Sequence, residues 1–79
     1  MQIQIRTFDG KSINIQVEST DTILNVKNQI QKEESIRIDL QRLVFNNESL
    51  VNNRTLASYS INNNAVLHLV MSKFISNKN

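Results

Sequence analysis

The amino-acid sequence predicts an α+β domain, in which one helix packs across one face of a small mixed β-sheet. Apolar and polar residues alternate strictly in residues 1–6 and alternate again in residues 12–17, which is typical of half-buried strands, and two further segments at residues 41–45 and 66–71 also suit strands. Between the second and third alternating segments lies one segment of helical period. With 79 residues, 39% of them apolar and 20% charged, the chain is expected to form a single globular domain.

The first two alternating segments, residues 1–6 and 12–17, predict a β-hairpin. Gly10, the one glycine of the chain, lies between them, where a hairpin loop of three to five residues needs a positive φ. The face predicted to be buried carries Ile3, Ile5, Ile13, Ile15 and Val17. The opposite face, predicted to be exposed, carries Gln2, Gln4, Arg6, Asn14 and Gln16.

A helix of about three turns is predicted to follow the hairpin. Its N-cap is Thr22, whose hydroxyl can accept a hydrogen bond from the first turn. The residues spaced at helical intervals on one face are Ile23, Val26, Lys27 and Ile30. We expect the helix to end near Glu34, with Ser35 left-handed where glycine is the more usual residue.

Two further strands are predicted at residues 41–45 and 66–71, and asparagine-rich turns follow the first and precede the second. In residues 41–45, Leu43 and Phe45 share one face, so Arg42 and Val44 lie on the other. In residues 66–71 both alternating sets are largely apolar, so one apolar set must point away from the core. The isolated residues predicted to pin the intervening segment to the core are Leu50, Leu56, Tyr59 and Ile61.

Composition argues against several classes of function. The chain has no cysteine and one histidine, so we expect neither a metal nor a cofactor site, and no enzyme activity. The net charge of +2 comes from scattered residues, which argues against nucleic acid as a partner. No apolar run approaches the ~20 residues of a membrane span. The expected location is the cytoplasm or nucleus, and the expected state is a monomer.

Residues 1–70 resemble ubiquitin along their whole length, without a gap. The matching residues are Met1-Gln2-Ile3, Thr7, Gly10-Lys11, Val17-Glu18, Asp21-Thr22-Ile23, Asn25-Val26-Lys27, Ile30-Gln31, Gln41-Arg42-Leu43, Arg54-Thr55-Leu56, Tyr59, Ile61 and Leu67-His68-Leu69-Val70. The resemblance implies the β-grasp fold, with residues 1–72 as a ubiquitin-like domain. Residues 73–79 are expected to form a flexible polar tail or the start of a linker.

The sequence departs from ubiquitin at the sites of covalent chemistry. Ubiquitin ends in a glycine pair, whereas this chain reads Met71-Ser72-Lys73-Phe74-Ile75-Ser76 and has no glycine after Gly10. Ubiquitin's chain-forming lysines are replaced by Arg6, Gln29, Glu33, Glu48 and Asn63. Only Lys11 and Lys27 stay in register as possible acceptors of a modifier. The resemblance therefore implies a domain that is not conjugated.

The positions of ubiquitin's apolar docking surface remain largely apolar in this chain. They hold Phe8, Val44, His68 and Val70, with Arg42 beside them. We refer to these five residues as the docking patch. The alternation of the strands points the strand residues of the patch outward, and the resemblance implies that the patch binds partners.

Two hypotheses follow from this resemblance. In the first, the chain docks non-covalently on ubiquitin-binding domains and proteasomal ubiquitin receptors, as the N-terminal domain of a larger shuttle or chaperone-adaptor protein. In the second, it is a free-standing divergent ubiquitin from a virus or parasite, which acts as a decoy or as an atypical protein modifier.

Overall fold

The computed structural model describes residues 1–71 and confirms the predicted mixed sheet with one helix across it, as in the β-grasp fold. The predicted tail, residues 73–79, lies outside the described residues. The strands are β1 (Gln2–Arg6), β2 (Ser12–Gln16), β3 (Gln41–Phe45), β4 (Glu48–Ser49) and β5 (Val66–Met71). The helix is α1 (Ile23–Glu34). No helix of the described part is long and apolar enough to cross a membrane.

The five strands lie in the order β2-β1-β5-β3-β4. β1 pairs antiparallel with β2 and parallel with β5, while β3 pairs antiparallel with both β5 and β4. The first and last strands of the chain therefore lie side by side at the centre of the sheet. This arrangement places the outward residues of β3 and β5 next to each other, which matters for the docking patch.

The core lies between α1 and one face of the sheet. Its fully buried apolar side chains come from α1, from β1, β3 and β5, and from the segment between β4 and β5: Ile3, Ile5, Ile23, Val26, Ile30, Leu43, Leu56, Ile61, Leu67 and Leu69. Ile13 and Phe45 share the predicted inner face but are only partly buried, since Ile13 lies on an edge strand and Phe45 is the last residue of β3. The predicted inner and outer faces are otherwise confirmed.

Both predicted ends of α1 are confirmed. At the start, the backbone N–H of Asn25 donates to Oγ1 of Thr22 at 3.2 Å. At the end, Ser35 has a φ of 59° and its N–H donates to the carbonyl of Gln31 at 2.8 Å. A residue with a side chain is therefore held in the left-handed region, where glycine would fit without strain.

The predicted turns also have the expected backbone conformation. Gly10 has a φ of 88° in the hairpin loop. Asn46 and Asn47, with φ of 53° and 65°, reverse the chain after β3, and Asn64, with φ of 69°, precedes β5. Asparagine tolerates this region because its short polar side chain hydrogen-bonds locally.

Three short elements were not predicted: β4 and the two 3₁₀ helices Ile38–Leu40 and Ala57–Tyr59. Each has two or three residues, too few to show a hydrophobic period. Near the second 3₁₀ helix, the backbone N–H of Val51 donates to the hydroxyl of Tyr59 at 2.8 Å. Tyr59 therefore ties this irregular segment together.

Candidate functional site

Four of the five docking-patch residues form two cross-strand pairs on the outer face of the sheet. In the antiparallel register of β3 and β5, Val44 lies opposite His68 and Arg42 lies opposite Val70. His68, Arg42 and Val70 are exposed and Val44 is half-buried. Directly opposite residues in antiparallel strands have Cβ atoms about 4.5–5.5 Å apart. The four side chains therefore form one continuous surface.

Phe8 extends this surface from the loop after β1. The parallel register of β1 and β5 ends with Arg6 opposite His68, and Phe8 follows two residues later, beyond the end of β1 that lies on the Val70 side of β5. Phe8 is 61% exposed, the largest exposed fraction among the large apolar residues of the described chain. All five residues were selected from the sequence, and the register of β3 and β5 accounts for the proximity of Arg42, Val44, His68 and Val70.

The loop that carries Phe8 is ordered by hydrogen bonds on both sides of it. The N–H of Thr7 donates to the carbonyl of Lys11 at 2.8 Å, and the N–H of Gly10 donates to the carbonyl of Thr7 at 3.1 Å. The hydroxyl of Thr7 donates to Oδ1 of Asp9, and this hydrogen bond lowers the pKa of the Asp9 carboxyl. The loop therefore offers a defined position from which Phe8 projects.

Cationic side chains border the apolar part of the patch. Arg6 lies opposite His68 on the neighbouring strand, and Arg42 lies within the patch itself. Neither arginine forms an ion pair with an acidic group of residues 1–71. An apolar surface with a positive border can bind an apolar segment that also carries carboxylates. No group of three metal-ligating side chains comes together within residues 1–71.

The two candidate acceptor lysines occupy different surroundings. The Lys11 side chain is 57% exposed, and its Nζ lies 2.8 Å from Oε1 of Glu34, a hydrogen bond that raises the pKa of Lys11. Lys27 is only 7% exposed, and its Nζ donates to Oδ1 of Asn52 at 2.7 Å. Burial lowers the pKa of Lys27. Lys11 can be reached by a modifying enzyme, whereas access to the Lys27 amine requires local opening.

A second feature of the outer face was not predicted. Beside the patch, a groove of about 350 Å³ is lined by Gln2, Ile3, Gln4, Asn14, Asn64 and Val66. The sequence shows that β1 and β2 point carboxamide side chains outward. The groove itself depends on β5 lying beside β1, which the sequence does not show. No charged side chain lines it. The outer face thus has an apolar half over β3 and β5 and a carboxamide half over β1 and β2.

Comparison with known proteins agrees with this geometry. The sequence model of the ubiquitin family matches residues 3–74. The chain belongs to the ubiquitin family. Members of this family are generally protein modifiers or binding domains and not enzymes, and ubiquitin-like domains generally bind other proteins.

Individual relatives of this ubiquitin-family chain fall into two groups by length. The chain is 35% identical to the ubiquitin-like protein NEDD8 of Dictyostelium discoideum, over 91% of this chain and 94% of that protein. It is 36% identical to the NEDD8-like protein RUB3 of Arabidopsis thaliana, over 91% and 92%. Ubiquitin-like protein 4A of Xenopus tropicalis is 33% identical over 96% of this chain but only 51% of its own length.

Proposed function

We propose that this ubiquitin-like domain acts without conjugation, docking on ubiquitin receptors, including those of the proteasome, through the docking patch. The observation that carries the proposal is the register of β3 and β5, which brings Arg42, Val44, His68 and Val70 together on the outer face of the sheet, with the exposed Phe8 in the loop after β1. Apolar side chains at neighbouring outward positions have no role in the core. An exposed apolar patch with a polar border is typical of a protein-binding surface.

The positive border indicates the chemistry of the partner. Arg6 on β1 and Arg42 on β3 lie on the two strands that flank β5, on the same face of the sheet. A receptor segment with an apolar centre and acidic residues at its margin would complement the patch in both respects. We infer that the acidic residues chiefly increase the association rate and that the apolar contacts with Val44 and Val70 determine the lifetime of the complex.

The absence of conjugation is proposed from the sequence after β5. A glycine pair lets a chain enter narrow enzyme grooves because it has no side chains, whereas Phe74 and Ile75 stand in that stretch here. Incubation with ubiquitin-activating enzyme and ATP should give no thioester. A band that disappears on reduction would contradict this part of the proposal.

Docking is tested by titrating the labelled domain with isolated ubiquitin-binding domains while amide chemical shifts are recorded. Val44→Ala should weaken binding about tenfold or more, because an apolar anchor near an interface centre contributes roughly 1–2 kcal/mol. Gln2→Ala, exposed on β1 in the carboxamide half, is the matched control and should bind like the parent. Undetectable binding at millimolar concentration, or parental binding by Val44→Ala, would contradict docking at this patch.

A second candidate function is a free-standing modifier or a decoy. The match to NEDD8 and RUB3 over more than nine-tenths of their lengths supports this second candidate. The match to only 51% of ubiquitin-like protein 4A supports a domain within a larger protein instead. For a modifier, Lys11 is the more accessible acceptor. The thioester assay separates a modifier from a docking domain or decoy. Sequencing the gene beyond codon 79 then distinguishes a domain of a larger protein from a free-standing decoy.

A further inference from the structure

The two edges of the sheet differ in how well they are protected from pairing with another strand. β4, at one edge, has two residues, one of which is the charged Glu48. β2, at the other edge, reads Ser12-Ile13-Asn14-Ile15-Gln16, with no charge and no proline, and its register with β1 is continuous, without a bulge. Proteins ordinarily blunt an edge with charges, proline, a bulge or a very short strand. β2 has none of these devices.

The backbone groups that β2 offers follow from its hydrogen bonds to β1. Met1 and Val17 exchange bonds of 2.7 and 2.8 Å, and the N–H of Thr7 donates to the carbonyl of Lys11. Bonded pairs in an antiparallel ladder recur at every second residue. Ile13 and Ile15 therefore bond to β1. The backbone groups of Ser12, Asn14 and Gln16 point away from β1, toward the edge.

Only one of these edge groups is engaged within residues 1–71. The side-chain amide of Gln29, on α1, donates to the carbonyl of Gln16 at 3.2 Å. A carbonyl oxygen has two lone pairs, so this bond leaves one for another donor. The amide and carbonyl of Asn14, at the middle of the edge, have no hydrogen-bond partner within the described residues. The edge is thus open at its centre.

We propose that β2 pairs antiparallel with β2 of a second copy of this chain, about a two-fold axis at Asn14. In this register Asn14 faces Asn14 of the second copy, and Ser12 faces Gln16 of the second copy. Each of these pairs exchanges two backbone hydrogen bonds, because their N–H and carbonyl groups point to the edge. The two sheets then form one continuous sheet with the helices on the same side.

The side chains of β2 favour a second copy as the occupant. The pattern of the strand is symmetric about Asn14, so Ile13 lies beside Ile15 of the second copy on the inner face, and carboxamides meet on the outer face. Ile13, partly exposed in the single chain, gains an apolar neighbour. In the pair of β2 strands no like charges oppose each other. A foreign strand with charged side chains would have no opposite charge on β2 to pair with.

The pairing is independent of the docking function. β1 separates β2 from β5, so the docking patch stays free in the pair. One strand edge of five residues gives a narrow interface, in the class below about 1,200 Å² that forms weak, transient complexes. The chain is therefore monomeric at micromolar concentration and pairs at millimolar concentration.

Amide hydrogen exchange at the two concentrations tests the backbone geometry. At millimolar concentration the amides of Ser12, Asn14 and Gln16 should exchange several-fold more slowly than at micromolar concentration. The amides of Ile13 and Ile15, bonded to β1, should be protected equally at both. Exchange of the three edge amides that does not depend on concentration would overturn the proposal.

A charge variant tests the axis by sedimentation. Asn14→Lys brings two lysines together at the two-fold axis and should weaken association at least tenfold. Gln2→Lys is the matched control, since Gln2 is exposed on the same face of β1. Its two copies would lie at least three strand spacings, about 14 Å, apart, beyond the Debye length at physiological salt. Denaturant titration checks that both variants fold.

The remaining outcomes also decide the question. Parental association by Asn14→Lys, equal weakening by Gln2→Lys, or sedimentation of the parent as a monomer at millimolar concentration would each overturn the pairing. Association accompanied by shifts at Val44 and Val70 in place of β2 would assign it to the docking patch, and would likewise overturn the proposal. Receptor docking is tested separately, by its own titration.

Discussion

The two faces of β3 and β5 contrast most clearly at adjacent residues. Leu69 is 1% exposed and Leu43 is fully buried, whereas Val70, next to Leu69, is 42% exposed and Val44 is half-buried. All four are aliphatic. On the inner face, burial of apolar area explains why such residues are present. On the outer face it does not, so their apolarity is better explained by contact with another molecule.

The largest difference between the faces should appear in stability. Leu69→Ala removes a buried side chain and leaves a cavity, so the free energy of unfolding should fall by about 2–5 kcal/mol. Urea denaturation followed by circular dichroism measures this change. A loss below about 1 kcal/mol would mean that the inner face can close around the cavity, and the contrast between the faces would be weaker than burial indicates.

The buried amine of Lys27 offers a second test of the inner side. Its partner is the neutral Asn52, and burial lowers its pKa from the ordinary 10.5. Asn52→Asp would supply a counter-charge and should stabilise the domain by about 1 kcal/mol at pH 7. Asn53→Asp, which adds the same charge one residue away, is the control and should give less. Equal effects would assign the gain to net charge.

The pH dependence of this gain has a defined sign. Between the lowered pKa of Lys27 and 10.5, the unfolded parent chain binds more protons than the folded one, so the contribution of Lys27 to stability rises with pH. In Asn52→Asp the carboxylate stabilises the charged amine, and its benefit disappears once that amine loses its proton. The stability difference between variant and parent should therefore shrink at alkaline pH. A constant difference would contradict an ion pair with Lys27.

Ser35 shows that an exposed residue can still affect stability through its backbone. Its φ of 59° is strained for a residue with a Cβ. Ser35→Gly should raise the free energy of unfolding by about 0.5–1 kcal/mol. Ser12→Gly, in an extended strand, should lower it by a similar amount and serves as the control. A lower denaturation midpoint for Ser35→Gly would show that Ser35 is not strained.

The smallest effect on stability is expected on the outer face itself. Val70→Ala should change the free energy of unfolding by less than about 0.5 kcal/mol, although we expect it to weaken receptor binding as Val44→Ala does. Denaturation and binding measured on the same preparation give both values. A large stability loss with unchanged binding would reverse the assignment of the outer face from docking to folding.

Much of the fold follows from local sequence. Alternation of period two in the hairpin, helical spacing from Ile23 to Ile30, the Thr22 cap and the left-handed Ser35 were each predicted and are confirmed. These features depend on sterics and hydrogen bonds between residues that are close together in the chain, so they can be predicted from the order of the residues. The short β4 and the 3₁₀ helices were not predicted, because elements of two or three residues are fixed by contacts with the rest of the chain.

For the candidate site, the alternation along each strand predicts which residues face outward, and the resemblance to ubiquitin selects which of them to consider. The neighbours of these residues depend on how the strands are arranged in the sheet. Val44 meets His68, Arg42 meets Val70 and β2 lies at an edge because β5 lies between β1 and β3. The physical reason is that the helix and the irregular segments must return the chain so that one continuous core is buried. Strand order is set by that shared burial, which no single segment encodes.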